Sequence, residues 1–365
     1  MDPVIITGGL LSLTSLGILY YVSRSVGPVT KFLYANARIQ ARSGYLIHDK
    51  DIDNLVSAKT LNELTNNLRE TEYIEELEKL QKKDDIKLFH KAVEKSFLAS
   101  IMDLREMSPD KAKEVLEAYL GMLEAKVLKT VFRARNGNEE LDEDLVFSVG
   151  IITPEVLRHL NDTKTTADIG VVMSTTKYSG LFAEKYEDVE QFDVAIETFV
   201  LKNMIKTVEK VKMHDSRAII DMIRAKMDIM NLLALLKFKV RELDSEQQLN
   251  LLIPTETDLG KRLKNLVKAE NLKKMVESCK NLDYSEALEK ALAEYEKDGS
   301  LMHFEQNLLR YYKSFVTGGE MAHTLGPYPL FSYLIKKEIE MRNLFVISSG
   351  IANGFDTERI KRLII

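Results

Sequence analysis

Glu338 and Glu340, two positions apart, are the nearest thing in this sequence to a catalytic carboxylate pair, in which one group holds a proton while the other stays charged. They sit beside Lys336, Lys337 and Arg342, and on a helix that mixture reads as an ion-pair set on the surface. The six histidines, His48, His90, His159, His214, His303 and His323, are scattered singly, and no H-E-x-x-H spacing turns two of them towards one zinc ion. The one cysteine, Cys279, falls at an apolar position of a helical pattern, where a thiol packs and does not react. A single cysteine also excludes an internal disulfide and a multi-cysteine metal site. The only Gly-Lys dipeptide, Gly260-Lys261, lacks the upstream glycine of a phosphate-cradling loop, and no G-x-S-x-G elbow occurs. The expectation is a protein with no catalytic residues, no cofactor and no metal.

Two basic stretches could dock a partner. Lys202, Lys206 and Lys210 are spaced four and four, which puts them on one helix face, while Lys212 points off it. Lys261, Arg262, Lys264, Lys268, Lys273 and Lys274 crowd a second stretch. Each reads either as a solvated face or as a surface that attracts an acidic partner.

The elements that carry these residues are helices. The chain has 365 residues, 45% of them hydrophobic, so it can bury a core and is not a disordered segment. Its 51 Lys+Arg against 56 Asp+Glu leave a net charge of -5, against the basic balance of a nucleic-acid coat. Only 7 prolines and 17 glycines interrupt it, too few for a many-turned all-β protein. Ile86, Phe89, Val93, Phe97 and Ile101 mark one helix face, and Leu61, Leu64 and Leu68 another. Ser108-Pro109 and Thr153-Pro154 read as capping hydroxyls before an initial proline. Asn136-Gly137 and Asn353-Gly354 read as turns, and Val146 to Ile152 is the best strand candidate.

Pro3 to Ser23 carries no charge over 21 residues, the length of a membrane-spanning helix, and Arg24, Lys31, Arg38 and Arg42 follow it. If it spans, those basic residues put the rest of the chain in the cytoplasm. Leu10, Leu11, Ile18, Tyr20 and Tyr21 are its candidate membrane contacts. The competing reading is a helix packed on a protein partner, because Gly8, Gly9, Ser12 and Gly17 dilute its hydrophobicity.

Three stretches repeat. Ser57 to Tyr73, Asp162 to Tyr178 and Lys268 to Tyr284 align on their tyrosines, which stand 105 and 106 residues apart. Leu64, Ile169 and Met275 then coincide, as do Leu68, Met173 and Cys279. Val127 to Arg135 matches Asn231 to Lys239, 104 residues on, and Asn36-Ala37-Arg38 and Asn343-Leu344-Phe345 offer themselves as further copies. A fixed period means one structural unit used repeatedly.

Phe32 to Ile47, FLYANARIQARSGYLI, resembles the opening of the C subunit of archaeal-type (A-type/V-type) rotary ATP synthases, the relative of the d subunit in eukaryotic vacuolar ATPases. Gly326, Pro329, Leu330, Tyr333, Lys337, Glu338, Glu340, Asn343, Leu344 and Ile347 follow the pattern of that family's last repeat, and Met227 to Lys239 fits its middle. The resemblance covers about residues 30 to 365; the leader departs from it, since many members begin almost at the helix of Tyr34 and Arg38. It implies an all-α protein of three similar bundles around a pseudo-threefold axis, funnel-shaped, with the leader helix added. The expected division is leader 1–29 and repeats 30–120, 121–225 and 226–365. It further implies a non-catalytic rotor part on the cytoplasmic side of the cell membrane. Such a part joins the central stalk to the membrane rotor ring and passes torque between ion flow and ATP synthesis or hydrolysis. The coupling ion, H+ or Na+, is a property of the ring. A membrane-tethered helical-repeat scaffold unrelated to ATPases is the alternative, and co-purification with an ATPase complex separates the two.

Overall fold

Helix boundaries follow the local chemistry of the chain. Thr60, Thr165 and Asn271 cap three short helices by accepting the backbone N–H three residues on, at 3.1, 3.3 and 2.9 Å. Thr153 accepts from Val156 N–H with Pro154 in the first turn, as its sequence suggests. The Ser108-Pro109 expectation fails: Ser108 ends one helix, Pro109 precedes the next, and no side chain caps it. Glycines 137 and 354 do stand where long helices end.

The structure, a computed structural model, describes residues 32–365. The expected leader helix over 1–29 and its contacts Leu10, Leu11, Ile18, Tyr20 and Tyr21 lie outside the described residues. The described chain is all-α. In order, α1 covers 32–42, α2 Asp49–Ser57, α3 Leu61–Asn67, α4 Ile74–Leu77, α5 Ile86–Met107 and α6 Asp110–Asn136. Then follow α7 Pro154–Asp162, α8 Thr166–Met173, α9 Ser179–Ala183, α10 Val189–Val211 and α11 Ser216–Val240. The rest are α12 Ser245–Asn250, α13 Asp258–Leu266, α14 Leu272–Ser278, α15 Ser285–Asp298, α16 Met302–Gly318, α17 Tyr328–Ala352 and α18 Thr357–Leu363.

Among the described residues there is no strand. Where one was expected, over Val146 to Ile152, a lone antiparallel bridge joins Val149 and Ile152. Gly150 turns the chain there at φ +53°, and a Cβ on it would strike the Glu124 carboxylate. That turn delivers the Ile151 N–H to Glu124 Oε1 at 3.0 Å, so the chain reverses to satisfy a buried acid and does not extend.

Long helices pack on one another: α5 on α6, α6 on α10, α10 on α11, α11 on α16 and α16 on α17. Helix α17 also packs on α5, α2, α3 and α18, so the two ends of the described chain share a core. Leu55, Leu61, Leu64, Leu68, Phe89 and Val93 are buried together with Leu344, Ile347, Ile360 and Ile364. A second, larger core fills the rest of the molecule. Burying each such side chain stabilises the fold by about 1.5–3 kcal/mol. No described helix is long and apolar enough to cross a membrane.

Candidate functional site

The residues that align in sequence play the same part at three separate places in the structure. Leu64, Ile169, Met275, Leu68, Met173 and Cys279 are all fully buried. Their shared task is to seat a tyrosine. Thr71 and Thr176 fold the preceding turn by donating to Leu68 and Met173 carbonyls at 2.7 and 2.8 Å. Each tyrosine hydroxyl then donates to a carboxylate on a long helix: Tyr73 to Glu340 of α17 at 2.9 Å, Tyr178 to Glu124 of α6 at 2.6 Å, and Tyr284 to Asp228 of α11 at 3.1 Å. Burial, and the carboxylate beside it, push each phenol well above its ordinary value.

The second oxygen of each carboxylate takes a donor from the next short helix's approach: Ile47 N–H for Glu340, Ile151 N–H for Glu124 and the Thr257 hydroxyl for Asp228. Three residues after the acid, Asn231 exchanges two hydrogen bonds with Ile253 at 2.8 Å each, and Asn343 does the same with Ile365 at 3.0 and 3.1 Å. Val127 stands at that position in α6.

The three sites differ in charge. Glu340 meets Lys337 Nζ at 2.9 Å; that ammonium is fully buried and lies 3.9 Å from the centre of the Tyr73 ring. Lys337 also faces Glu72, which Arg42 of α1 holds at 2.8 Å and to which Tyr333 donates. Burial raises Glu72, but Lys337 and Arg42 outweigh it and hold the carboxyl below its ordinary value. Glu124 has Lys177 at 2.6 Å. Asp228 has hydroxyl donors and no ion pair among the described residues, and burial pushes its carboxyl up to about 6. The Glu338–Glu340 set is therefore no surface ion-pair array. Glu340 and Lys337 belong to the core, because the partners that bury them come from α1 to α4 and their connections, over 250 residues away in sequence.

Two residues before the acids stand Met122, Lys226 and Glu338, and these meet one another. Lys226 Nζ is ion-paired with Glu338 and lies 3.8 Å from Met122 Sδ, while Tyr119 donates to Glu338 at 3.2 Å. Successive turns from this junction carry Lys126, Lys129 and Arg133 on α6, Met230, Leu233 and Lys237 on α11, and Arg342 and Phe345 on α17, all partly or well exposed. Lys126 lies 5.3 Å from the Phe345 ring centre. Periodicity in the sequence marked these helices, but not which of their faces adjoin.

Lys202, Lys206 and Lys210 are exposed on α10, and Lys210 pairs with Glu114 at 2.9 Å. In the second basic stretch, Lys261 and Lys274 pair with Asp258 and Glu270, and Arg262 donates to the Ser278 and Lys280 carbonyls. Cys279 is buried, and desolvation pushes its thiol up to about 11, so it is no nucleophile at neutral pH. The histidines are less scattered than their spacing suggests: His214 and His323 both bond Asp215 Oδ1, at 2.8 and 2.9 Å, joining the α10–α11 turn to the loop before α17. Among the described residues no group of His, Cys, Asp or Glu is placed to hold a metal.

Long helices clasped by buried tyrosines, with buried charge used for packing, define an all-α protein. The ATP synthase (C/AC39) subunit family matches residues 35–363, and the chain belongs to it. Among its relatives, the A-type ATP synthase C subunit of Methanocaldococcus jannaschii is 26% identical over 95% of this chain and 90% of its own. The corresponding protein of Methanothermobacter thermautotrophicus is 23% identical over 91% of this chain and 87% of its own. That of Pyrococcus furiosus is 23% identical over 97% of both. A 97% match is more than residues 32–365 can supply, so with this relative it runs into the leader, whereas the family's own match begins at residue 35.

Proposed function

We propose that this chain is the non-catalytic central-rotor subunit of an A-type/V-type ATP synthase, joining the central stalk to the membrane rotor ring and transmitting torque between them. The observation that carries the reading is the tyrosine–carboxylate clasp made three times, with its three long helices meeting at Met122, Lys226 and Glu338. Such recurrence supports three similar units about a pseudo-threefold axis. The units would run 110–211, 216–318 and, discontinuously, 46–107 with 328–365, in place of consecutive thirds of the chain. Close-packed helices resist deformation, which suits a part that carries torque and performs no reaction.

The stalk foot would seat against the exposed turns of α6, α11 and α17, where Met230, Leu233 and Phe345 offer apolar contact and Lys129, Arg133 and Lys237 offer charge. Lys202, Lys206 and Lys210 form a second candidate docking face for the stalk or the ring. Location follows as the cytoplasmic side of the cell membrane, with Leu10, Leu11, Ile18, Tyr20 and Tyr21 of the leader in contact with lipid. The deciding experiment is affinity capture of the tagged full chain from native membranes. Stalk and ring subunits should come with it, and substituting Met230→Glu with Leu233→Glu should weaken stalk association at least tenfold. Capture free of any ATPase subunit returns the chain to a scaffold.

A further inference from the structure

Leu33, Tyr34, Met321 and Leu325 are 48, 61, 91 and 52% exposed, and they come from two segments that one side chain ties together. Asn36 of α1 donates to the carbonyls of Thr324 and Gly326, at 3.1 and 2.9 Å. Leu325 lies between those two carbonyls, and Leu33 stands one turn before Asn36 on the same face of α1. Leu33 and Leu325 thus lie near each other at the N-terminal end of α1, with Tyr34 at the next exposed position of that helix and Met321 four residues before Leu325. Arg38 borders them, donating to the Tyr34 hydroxyl at 3.1 Å. Other exposed large apolar residues, such as Met102, Val171 and Val240, stand singly on separate helices and need no explanation.

What leads into α1 says which surface this patch meets. Pro3 to Ser23 carries no charge, and eight residues, 24–31, separate it from Phe32. Those eight can span at most about 30 Å when fully extended. If the leader contacts lipid, the start of α1 is held close to the headgroups, and the apolar residues exposed there face the same boundary. A tyrosine beside an arginine, with leucine and methionine around it, is the composition favoured where hydrocarbon meets water.

We propose that Leu33, Tyr34, Met321 and Leu325 form a lipid-contacting patch that lies on the bilayer interface beside the leader; this rests on the membrane reading of the leader. The sequence has no tryptophan, so Met321→Trp in the full chain gives a single reporter at a highly exposed position, with Val171→Trp on α8 as its control. Both proteins are titrated with vesicles of phosphatidylcholine and phosphatidylglycerol, with and without bromine on the acyl chains. The expected result is a blue shift and bromolipid quenching for Met321→Trp and neither for Val171→Trp, with vesicle affinity falling about tenfold on combining Leu33→Ser, Met321→Ser and Leu325→Ser. If the full chain binds vesicles, and loses that binding on Leu10→Asp with Leu11→Asp and Ile18→Asp, while Met321→Trp emission does not move, the patch proposal is overturned and the leader reading stands. If the full chain binds no vesicles, both fall and the patch belongs to a protein partner.

Discussion

Tyr73, Tyr178 and Tyr284 perform the same task with different electrostatic support, and the difference can be measured. Tyr178→Phe removes one buried hydrogen bond but leaves Glu124 with Lys177 and the Ile151 N–H, so the expected cost is about 1–2 kcal/mol in urea unfolding. Lys337→Met leaves Glu340 and Glu72 facing each other without their buried cation, and about 3–5 kcal/mol should be lost. Asp228 sets a pH dependence. Its folded-state value is raised to about 6 by burial, so its contribution is fully present below the unfolded carboxyl's pKa and is lost as pH rises through about 6. The change is about 3 kcal/mol. His90 acts in the opposite sense. Burial, helped by Lys126, pushes it down to about 4, so its contribution is present above the unfolded imidazole's value and is lost as pH falls through 4. Comparing urea midpoints of the native chain and Asp228→Asn at pH 4.5 and 7.5 isolates the carboxyl: the substituted protein should lose less stability on going to the higher pH.

At the scale of elements, the short helices depend on their caps and the long ones on burial. Thr60→Ala, Thr165→Ala and Asn271→Ala should each cost about 1 kcal/mol, since each leaves one N–H of a two-turn helix without its acceptor. Helix α10 tolerates more at its surface. Lys202, Lys206 and Lys210 are exposed, so reversing all three to Glu should leave the circular dichroism and the unfolding midpoint nearly unchanged, each change costing within about 0.5 kcal/mol. Stalk association then reports the function of that face: salt-dependent slowing places it in an interface, and unchanged kinetics leave it solvated. Unfolding of the triple variant would mean that these lysines belong to a buried network.

Across the whole molecule, the C-terminal helices complete a core begun by the first helices. Leu344 is fully buried among Leu64, Leu68 and Tyr73. A charge there has no partner, so Leu344→Asp should cost more than about 4 kcal/mol. Hydrogen exchange, read by mass spectrometry, should rise over 49–107 and 357–363 well before it rises over 110–211. Uniform exposure of all three regions would show that these regions do not open separately. Isolated chain titrated with ATP should give no saturable heat, because its sequence has no G-x-x-x-x-G-K-[ST] phosphate loop.

Sequence by itself determined what depends on near neighbours and on periodicity. Helical spacing at Ile86 to Ile101 put Phe89, Val93, Phe97 and Ile101 inside, and the aligned tyrosines are all buried. Thr153-Pro154 began a helix because a cap and a fixed φ act locally. Ser108-Pro109 misled, since Ser108 ends the helix before through its backbone N–H to the Arg105 carbonyl and its hydroxyl caps nothing. Glu340 and Lys337 looked like surface charges because only their helix neighbours are visible in sequence; burial by Tyr73 and Glu72 is a long-range contact. His214 and His323, far apart in the chain, met on Asp215 for the same reason. Tertiary structure alone decided that α17 joins α2 to α5. A linear period cannot reveal which end of the chain closes a unit, because closure is a choice among apolar faces of equal hydrophobicity, made by shape and by the buried carboxylate that each tyrosine must reach.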